Sequence, residues 1–345
     1  MPSFKNGAVE IAYLDEGEGE PIILVHGFAS SKNVNWVYPT WVSELKKHNR
    51  RVIAIDNRGH GDSSKLYDPE DYHIGIMAGD VRALMDHLGL ERVDMMGYSL
   101  GSRITGYLAQ SQPQRIRSAI FGGLGIGMIK GGGPGENVAK ALEADSLDDV
   151  TDPVGRTFRA FADQTRSDRR ALAACLRGSR RLMTRDEVAS ISVPTLIAVG
   201  TTDDIAGSAH ELGDVIAGSE VLDIPGRDHM RAVGDRVYKA GVLDFLSRRP
   251  LKREPYVCGL CSPLLSLAAS RYRSSAIRTT KVAIHTIRAP YRSCGPEITP
   301  HRNALPSNAR DTVAASRLRS SRCRRHRLRA TMTRSNAIEI SAMGM

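Results

Sequence analysis

Two kinds of segment alternate along the first 250 residues. Short runs that are almost wholly apolar, such as Pro21–Val25 and Arg51–Ile55, are typical of strands buried on both faces of a parallel sheet. Longer segments with apolar residues three and four positions apart, such as Asn35–His48 and Ile74–Leu88, are typical of amphipathic helices. This alternation predicts an α/β fold with a doubly wound, mainly parallel sheet.

The same pattern continues to residue 247, with one interruption at 122–190. That segment opens with eight glycines within 122–135 and continues as charged, mostly helical sequence. We expect it to be a helical cap inserted over one end of the sheet. Outside it, the pattern predicts further strands and helices at Ala8–Leu14, Val93–Met96, Ile116–Phe121, Pro194–Val199, Ser208–Ala217, Val221–Ile224 and Asp235–Ser247.

Charge divides the chain at about residue 250. The formal net charge is +10, but residues 1–250 carry 30 Lys and Arg against 34 Asp and Glu, whereas residues 251–345 carry 18 against 4. The sequence therefore predicts a mildly acidic domain, 1–250, followed by a basic tail, 251–345. The domain contains a single cysteine, Cys175, which favours a reducing compartment. Because no apolar run is long enough to span a bilayer and no signal peptide is recognisable, we predict a cytoplasmic protein without membrane contact.

The tail has no sustained hydrophobic period and is rich in Arg, Ser and Ala, so we expect it to be disordered. Its composition also resembles the product of a shifted reading frame. Two hypotheses for a function of the tail stay open. The cluster Arg322–Arg329 would suit an arm for nucleic acid or an anionic membrane, and nucleic-acid binding is expected only through it. Cys258 and Cys261 have the spacing of half a zinc site, but a second such pair is missing.

A tight strand-to-helix turn is predicted at Gly97-Tyr98-Ser99-Leu100-Gly101. Two glycines that flank a serine in this way permit a turn that lifts the hydroxyl above the sheet. A serine hydroxyl needs a base, and the base needs an orienting carboxylate. Asp203 and His229 follow later predicted strands, whose carboxyl ends lie at the same edge of the sheet. Asp204, next to Asp203, is an alternative for the acid.

These motifs together resemble the α/β-hydrolase family over residues 20–248. The resemblance implies that Ser99 is the nucleophile, that His229 is the base and that Asp203 orients it. It also implies an oxyanion hole formed by the backbone N–H groups of Phe28 and Leu100, with no cofactor and no metal. The matching segments are His26-Gly27-Phe28, Asp56-x-Arg58-Gly59-His60-Gly61-x-Ser63, Gly97–Gly101, Gly200-x-x-Asp203 and Gly226-x-Asp228-His229.

The expected activity is acyl transfer to water through an acyl-enzyme, with a small ester, thioester, lactone or C–C substrate. Related dehalogenases and epoxide hydrolases use an aspartate where this chain has Ser99, which argues against both activities. A perhydrolase of the non-heme haloperoxidase type and a catalytically silent small-molecule receptor are the alternatives. We expect His26 and His60 to brace loops and Asp228 to cap a helix or form a salt bridge. The sequence does not indicate an oligomeric state.

Overall fold

Eight strands form one sheet in the structure, a computed structural model that describes residues 2–248. Their order is β1-β2-β4-β3-β5-β6-β7-β8; the β1–β2 and β2–β4 pairs are antiparallel and all other pairs are parallel. This confirms the predicted doubly wound, mainly parallel sheet. The strands are β1 (Ser3–Asn6), β2 (Val9–Glu16), β3 (Glu20–Val25), β4 (Arg50–Ile55), β5 (Val93–Tyr98), β6 (Ile116–Gly122), β7 (Thr195–Gly200) and β8 (Glu220–Ile224).

Helices connect the parallel strands and cover both faces of the sheet. Short helical turns occur at Asn33–Val37, Pro69–Tyr72, Pro113–Arg115 and Leu147–Asp149. The α-helices are α1 (Trp41–Lys47), α2 (Ile74–His87), α3 (Leu100–Ser111), α4 (Gly127–Lys130), α5 (Glu136–Glu143), α6 (Pro153–Gln164), α7 (Arg169–Gly178), α8 (Arg185–Ala189), α9 (Ala209–Gly213), α10 (His229–Ala232) and α11 (Arg236–Ser247).

Side chains of the central strands divide between two helical layers. In β3, Ile23 and Val25 belong to the core shared with α2 and α3, whereas Ile22 and Leu24 belong to the core shared with α1 and α11. All four side chains are fully buried. Since successive residues of a strand point to opposite faces, a strand covered on both sides is apolar along most of its length. This burial explains the unbroken apolar runs of the sequence.

The predicted helix Asn35–His48 is wrong in its first half. Asn33–Val37 forms one turn of π-helix, and α1 begins only at Trp41. Pro39 lies between them, and a proline inside a helix removes a hydrogen-bond donor and clashes with the preceding turn. Thr40 then adopts a φ of 68°, in the left-handed region, which separates the two elements. The edge strand β1 was not predicted, because four residues are too few to show a period.

Five helices, α4–α8, lie between β6 and β7, where the sequence predicts the inserted cap. Three of them, α5–α7, build a small core of their own around the fully buried Val138, Leu142 and Leu172. Phe28, which follows β3, packs against this core. The cap therefore contacts the loop at the carboxyl end of β3.

Residues 249–345 lie outside the described residues. The expected disorder of the tail, the basic cluster Arg322–Arg329 and the zinc pair Cys258 and Cys261 all fall there, so they stay predictions. The same holds for the shifted reading frame and for the domain boundary at residue 250. Within residues 2–248, no helix is both long enough and apolar enough to cross a membrane.

Candidate active site

Ser99 occupies a strained turn between β5 and α3. Its φ is 52° and its ψ is −110°, a conformation that residues other than glycine rarely adopt. The flanking glycines permit the turn: a Cβ on Gly97 would lie 2.2 Å from the carbonyl oxygen of Gly101, and one on Gly101 would lie 2.0 Å from that of Val25. The Ser99 N–H donates to the carbonyl of Gly122 over 2.8 Å, which ties the turn to β6. The structure thus shows the turn that the sequence predicts.

His229 and Asp203 are in direct contact, although 26 residues separate them. Nδ1 of His229 lies 2.8 Å from Oδ2 of Asp203, whose side chain is fully buried. The other carboxylate oxygen accepts the N–H groups of Ile205 and Ala206, each over 2.9 Å. Held in this way, the carboxylate favours the tautomer with the proton on Nδ1, which leaves Nε2 of His229 free to accept a proton.

The acidic residues next to Asp203 and His229 in the sequence, Asp204 and Asp228, have different surroundings. Asp204 is exposed, and within residues 2–248 its carboxylate makes no contact with His229. Asp228 caps α10, because its carboxylate accepts the N–H groups of Met230 and Arg231. Of the two acids that the sequence left open, the geometry therefore brings Asp203, not Asp204, to the histidine.

The loop after β3 is fixed from several sides. The Gly27 N–H donates to Oδ1 of the buried Asn35 over 2.8 Å, and the Ala29 N–H donates to Nε2 of His60 over 3.2 Å. Between these two anchored residues, the N–H of Phe28 has no acceptor in the described part of the chain, and neither does that of Leu100 at the start of α3. Both N–H groups that the family resemblance implies are therefore available to a ligand.

Two buried histidines brace this loop. His26 accepts the Asn57 N–H at Nε2 and donates from Nδ1 to the Gly27 carbonyl. His60 donates from Nδ1 to the carbonyl of Arg58 while Nε2 accepts from Ala29. Burial lowers the pKa of His26 and lowers that of His60 to about 3, so both rings are neutral at physiological pH. Their contacts agree with the expected bracing role.

Sequence reasoning missed a buried cation beneath the same loop. Nζ of Lys32, a fully buried side chain, lies 2.5 Å from a carboxylate oxygen of Asp56 and 2.8 Å from one of Asp62. Burial alone would lower the pKa of Lys32, but its hydrogen bonds to the two carboxylates outweigh burial and raise that pKa. A lysine within a polar Ser-Ser-Lys-Asn loop gives no signal of burial, so only the fold shows this ion pair.

Two cavities meet at Ser99. The first, of about 350 Å³, is lined by His229 and by apolar side chains that include Val34, Val154, Phe158, Phe161, Met230 and Val233. The second, of about 230 Å³, is lined by Leu100, two arginines and the glycine run 131–133. Phe28, Ser99, Pro134 and Ile205 line both. A molecule bound at the serine could therefore extend into both cavities.

Cys175 and possible metal ligands are the other groups that could carry chemistry. Cys175 is fully buried, and burial raises the pKa of its thiol to about 12, so this cysteine is unreactive at neutral pH. Across residues 2–248, no three His, Cys, Asp or Glu side chains are grouped so that they could hold a metal ion.

Comparisons with known proteins agree with this architecture. A family model for the alpha/beta hydrolase fold matches residues 20–184. A dihydrolipoyllysine-residue acetyltransferase component of the acetoin cleaving system of Pseudomonas putida is 29% identical over 230 residues, which are 61% of this chain and 59% of that protein. A non-heme chloroperoxidase of Kitasatospora aureofaciens is 24% identical over 274 residues, 70% of this chain and 97% of that protein.

Among solved structures, a bromoperoxidase from Bacillus anthracis is 25% identical, with a TM-score of 0.58 over 69% of this chain and 96% of that chain. The chain thus spans about three fifths of the acetoin-system relative and nearly all of the other two proteins. Sheet order, the turn at Ser99, the family model and these relatives agree with one another. The chain has the α/β-hydrolase fold.

Proposed function

We propose that this chain is a serine hydrolase that cleaves an ester-like bond of a small molecule through an acyl-enzyme intermediate. The observation that carries the proposal is the contact of 2.8 Å between His229 and the buried Asp203, at a cavity that Ser99 also lines. A serine, a histidine and a carboxylate in these positions form a nucleophile, a base and the group that orients the base.

The first half of the reaction forms the acyl-enzyme. Oγ of Ser99 attacks the carbonyl carbon of the substrate while its proton passes to Nε2 of His229. Asp203 stabilises the positive charge that develops on the imidazole. The new oxyanion accepts the N–H groups of Phe28 and Leu100, which have no other acceptor within residues 2–248. The bond from the carbonyl carbon to the leaving oxygen then breaks, and the leaving alcohol takes the proton from His229.

Water completes the reaction. It loses a proton to His229 and attacks the acyl carbon, and the same two N–H groups stabilise the second oxyanion. The bond between the acyl carbon and Oγ of Ser99 breaks, the acid leaves and the serine regains its proton. No cofactor is needed for either half of the reaction.

Cavity size favours small substrates. The two cavities have volumes of about 350 and 230 Å³, and Ser99 lines both. Because the acyl group and the leaving group must share this space, we expect turnover of 4-nitrophenyl esters with short to medium acyl chains. Turnover should fall for dodecanoate and longer esters.

A perhydrolase activity is the second candidate, because relatives of this chain are named as a non-heme chloroperoxidase and a bromoperoxidase. In that activity hydrogen peroxide replaces water in the second half of the reaction and a peracid leaves. The two activities share the acyl-enzyme. They are separated by measuring peracid and acid formed from the same ester in the presence of hydrogen peroxide.

Ester turnover tests the proposal. The full chain, the Ser99→Ala variant and the Ser111→Ala variant are assayed with 4-nitrophenyl acetate, butyrate, octanoate and dodecanoate. Ser111 lies exposed at the end of α3, which makes it the matched control. We expect turnover by the wild type and by Ser111→Ala, and none above background by Ser99→Ala. Absence of turnover in the wild type would favour the alternative of a catalytically silent receptor.

A further inference from the structure

The smaller of the two cavities at Ser99 has a cationic lining. Arg103 and Arg180 contribute to it, whereas no Asp or Glu of residues 2–248 lines it. The glycine run 131–133 supplies a stretch of wall without side chains. The guanidinium groups are therefore the charged groups that a molecule in this cavity meets.

Arg103 is a cation without an acidic partner among residues 2–248. It lies one helical turn after Ser99 in α3, since its N–H donates to the Ser99 carbonyl, and the two residues share a face of the helix. Its guanidinium donates to the carbonyl of Gly127 over 3.0 Å, and no carboxylate within residues 2–248 lies within 4.0 Å of it. Burial lowers the pKa of this arginine, and no neighbouring acid offsets the effect.

Arg103 differs in this respect from two more deeply buried arginines. Arg50 contacts Glu20 and Asp94, and Arg58 contacts Asp80. A buried cation is costly unless an anion pairs with it. An arginine left without one beside a reactive serine is poised to bind an anionic group of the substrate, because its planar guanidinium matches a carboxylate.

The position of His229 tells which part of the substrate meets the arginines. The leaving oxygen must take its proton from His229, which lines only the larger, apolar cavity. The leaving group therefore extends into that cavity, and the acyl group extends into the cavity with Arg103.

We propose that the substrate is an ester whose acyl group ends in a carboxylate, with Arg103 as its main contact and Arg180 as a second one at the rim. This inference rests on the proposed function, because it assumes that Ser99 becomes acylated. It adds a charge requirement that the catalytic residues alone do not impose. The exposed position of Arg180 predicts a smaller contribution from that residue.

Three esters of nearly equal length test the requirement. They are mono-4-nitrophenyl adipate, its neutral methyl ester, and 4-nitrophenyl 7-aminoheptanoate, which is positively charged. With the full chain at low salt, we expect kcat/KM for the anionic ester to exceed that for the neutral ester by about tenfold or more, since a charge-assisted pair is worth about that factor. The cationic ester should be the poorest substrate. Added salt should reduce the preference.

Arginine variants locate the effect. Arg103→Met should reduce the ratio of anionic to neutral kcat/KM to about one, mainly through KM, and Arg103→Lys should retain an intermediate ratio because it keeps the charge without the planar fork. Arg180→Ala should reduce the ratio by about twofold to threefold. Arg82→Met is the control, because Arg82 is exposed on α2 and lines neither cavity. It should leave the ratio unchanged.

The inference is overturned if the wild type has a ratio of anionic to neutral kcat/KM of one or less. It is also overturned if neither Arg103→Met nor Arg180→Ala lowers that ratio. In both cases hydrolysis of the neutral ester still supports the proposed function. If no ester of any charge is hydrolysed, the proposed function fails, and calorimetric titration of adipate into Ser99→Ala and Ser99→Ala/Arg103→Met then tests the cavity alone. Binding that requires Arg103 supports an anion site, and equal or absent binding refutes it.

Discussion

Lys32→Met is a direct test of how the loop that carries Phe28 is held. The substitution keeps most of the side-chain volume and removes the charge. Asp56, fully buried, loses the contact of 2.5 Å to Nζ, and Asp62 loses the contact of 2.8 Å. Asp56 keeps two hydrogen bonds, from the N–H of Lys32 over 2.7 Å and from the N–H of Asp62 over 2.9 Å.

These contacts set the expected magnitude. Removing one partner of a buried ion pair costs about 3–5 kcal/mol, because the other charge is left buried and uncompensated. Since two backbone donors stay with Asp56 and since Asp62 can turn to solvent, we expect a loss near the lower limit, about 3 kcal/mol. For a domain of this size, that corresponds to a fall in Tm of about 6–12 °C.

The pH dependence has a definite sign. Burial alone would raise the pKa of Asp56, yet the groups around it, Lys32 among them, hold that pKa below its ordinary value. A carboxylate with a lowered pKa stabilises the fold above its ordinary pKa, and this contribution is lost as the pH falls. In Lys32→Met the pKa of Asp56 should rise. The difference in stability between wild type and variant should therefore be largest at neutral pH and smaller at pH 4.

Urea unfolding, followed by circular dichroism at pH 7 and pH 4, measures these differences. Adding Asp56→Asn to Lys32→Met removes the unpaired charge and should restore more than half of the lost free energy of unfolding. A loss below about 1 kcal/mol for Lys32→Met, or a double variant no more stable than the single one, would refute the reasoning.

Three further predictions address the acid, the turn and the buried histidines. Asp203→Asn should lower kcat/KM for 4-nitrophenyl butyrate by about 10³-fold or more, whereas Asp204→Asn should change it by less than about twofold; the reverse order would move the acid to Asp204. Gly101→Ala should not fold, because its Cβ would lie 2.0 Å from a backbone oxygen. In contrast, a Cβ at Gly79 would have no atom within 4 Å, so Gly79→Ala should raise the free energy of unfolding by about 0.5–1 kcal/mol. Urea titrations check both, and a folded Gly101→Ala would contradict the tight turn. Finally, burial lowers the pKa of His60 to about 3 in the folded protein, whereas its ordinary value is near 6.5. The free energy of unfolding should therefore fall by about 1.4 kcal/mol per pH unit below pH 6.5 for each such histidine. In His60→Gln, the free energy of unfolding should depend less steeply on pH between pH 6 and 4.

Most of the fold could be predicted because burial leaves a pattern in the sequence. Strands covered on both faces are mostly apolar, so β3, β4, β5 and β7 were found within two residues of their bounds. The turn at Ser99 was equally visible, since the approach of its backbone to that of Val25 permits only glycine at position 101.

Other features depend on contacts between residues distant in sequence. Asn35, Lys32 and Arg103 occupy ordinary polar positions of a loop or a helix, and only the folded chain shows which neighbours they have or lack. The break between Asn33–Val37 and α1 had a visible signal in Pro39, which the spacing of apolar residues outweighed. The choice between Asp203 and Asp204 likewise required the geometry of the loop after β7.

Labelling with a fluorophosphonate probe tests the central claim most directly, because the probe reacts with a serine only where a base and an oxyanion site activate it. The full chain, Ser99→Ala and Ser111→Ala are each treated with the probe, and the labelled peptide is identified by mass spectrometry. We predict one adduct, on Ser99, in the wild type and in Ser111→Ala, and none in Ser99→Ala. Labelling that persists in Ser99→Ala, or a wild type that stays unlabelled, would contradict the account.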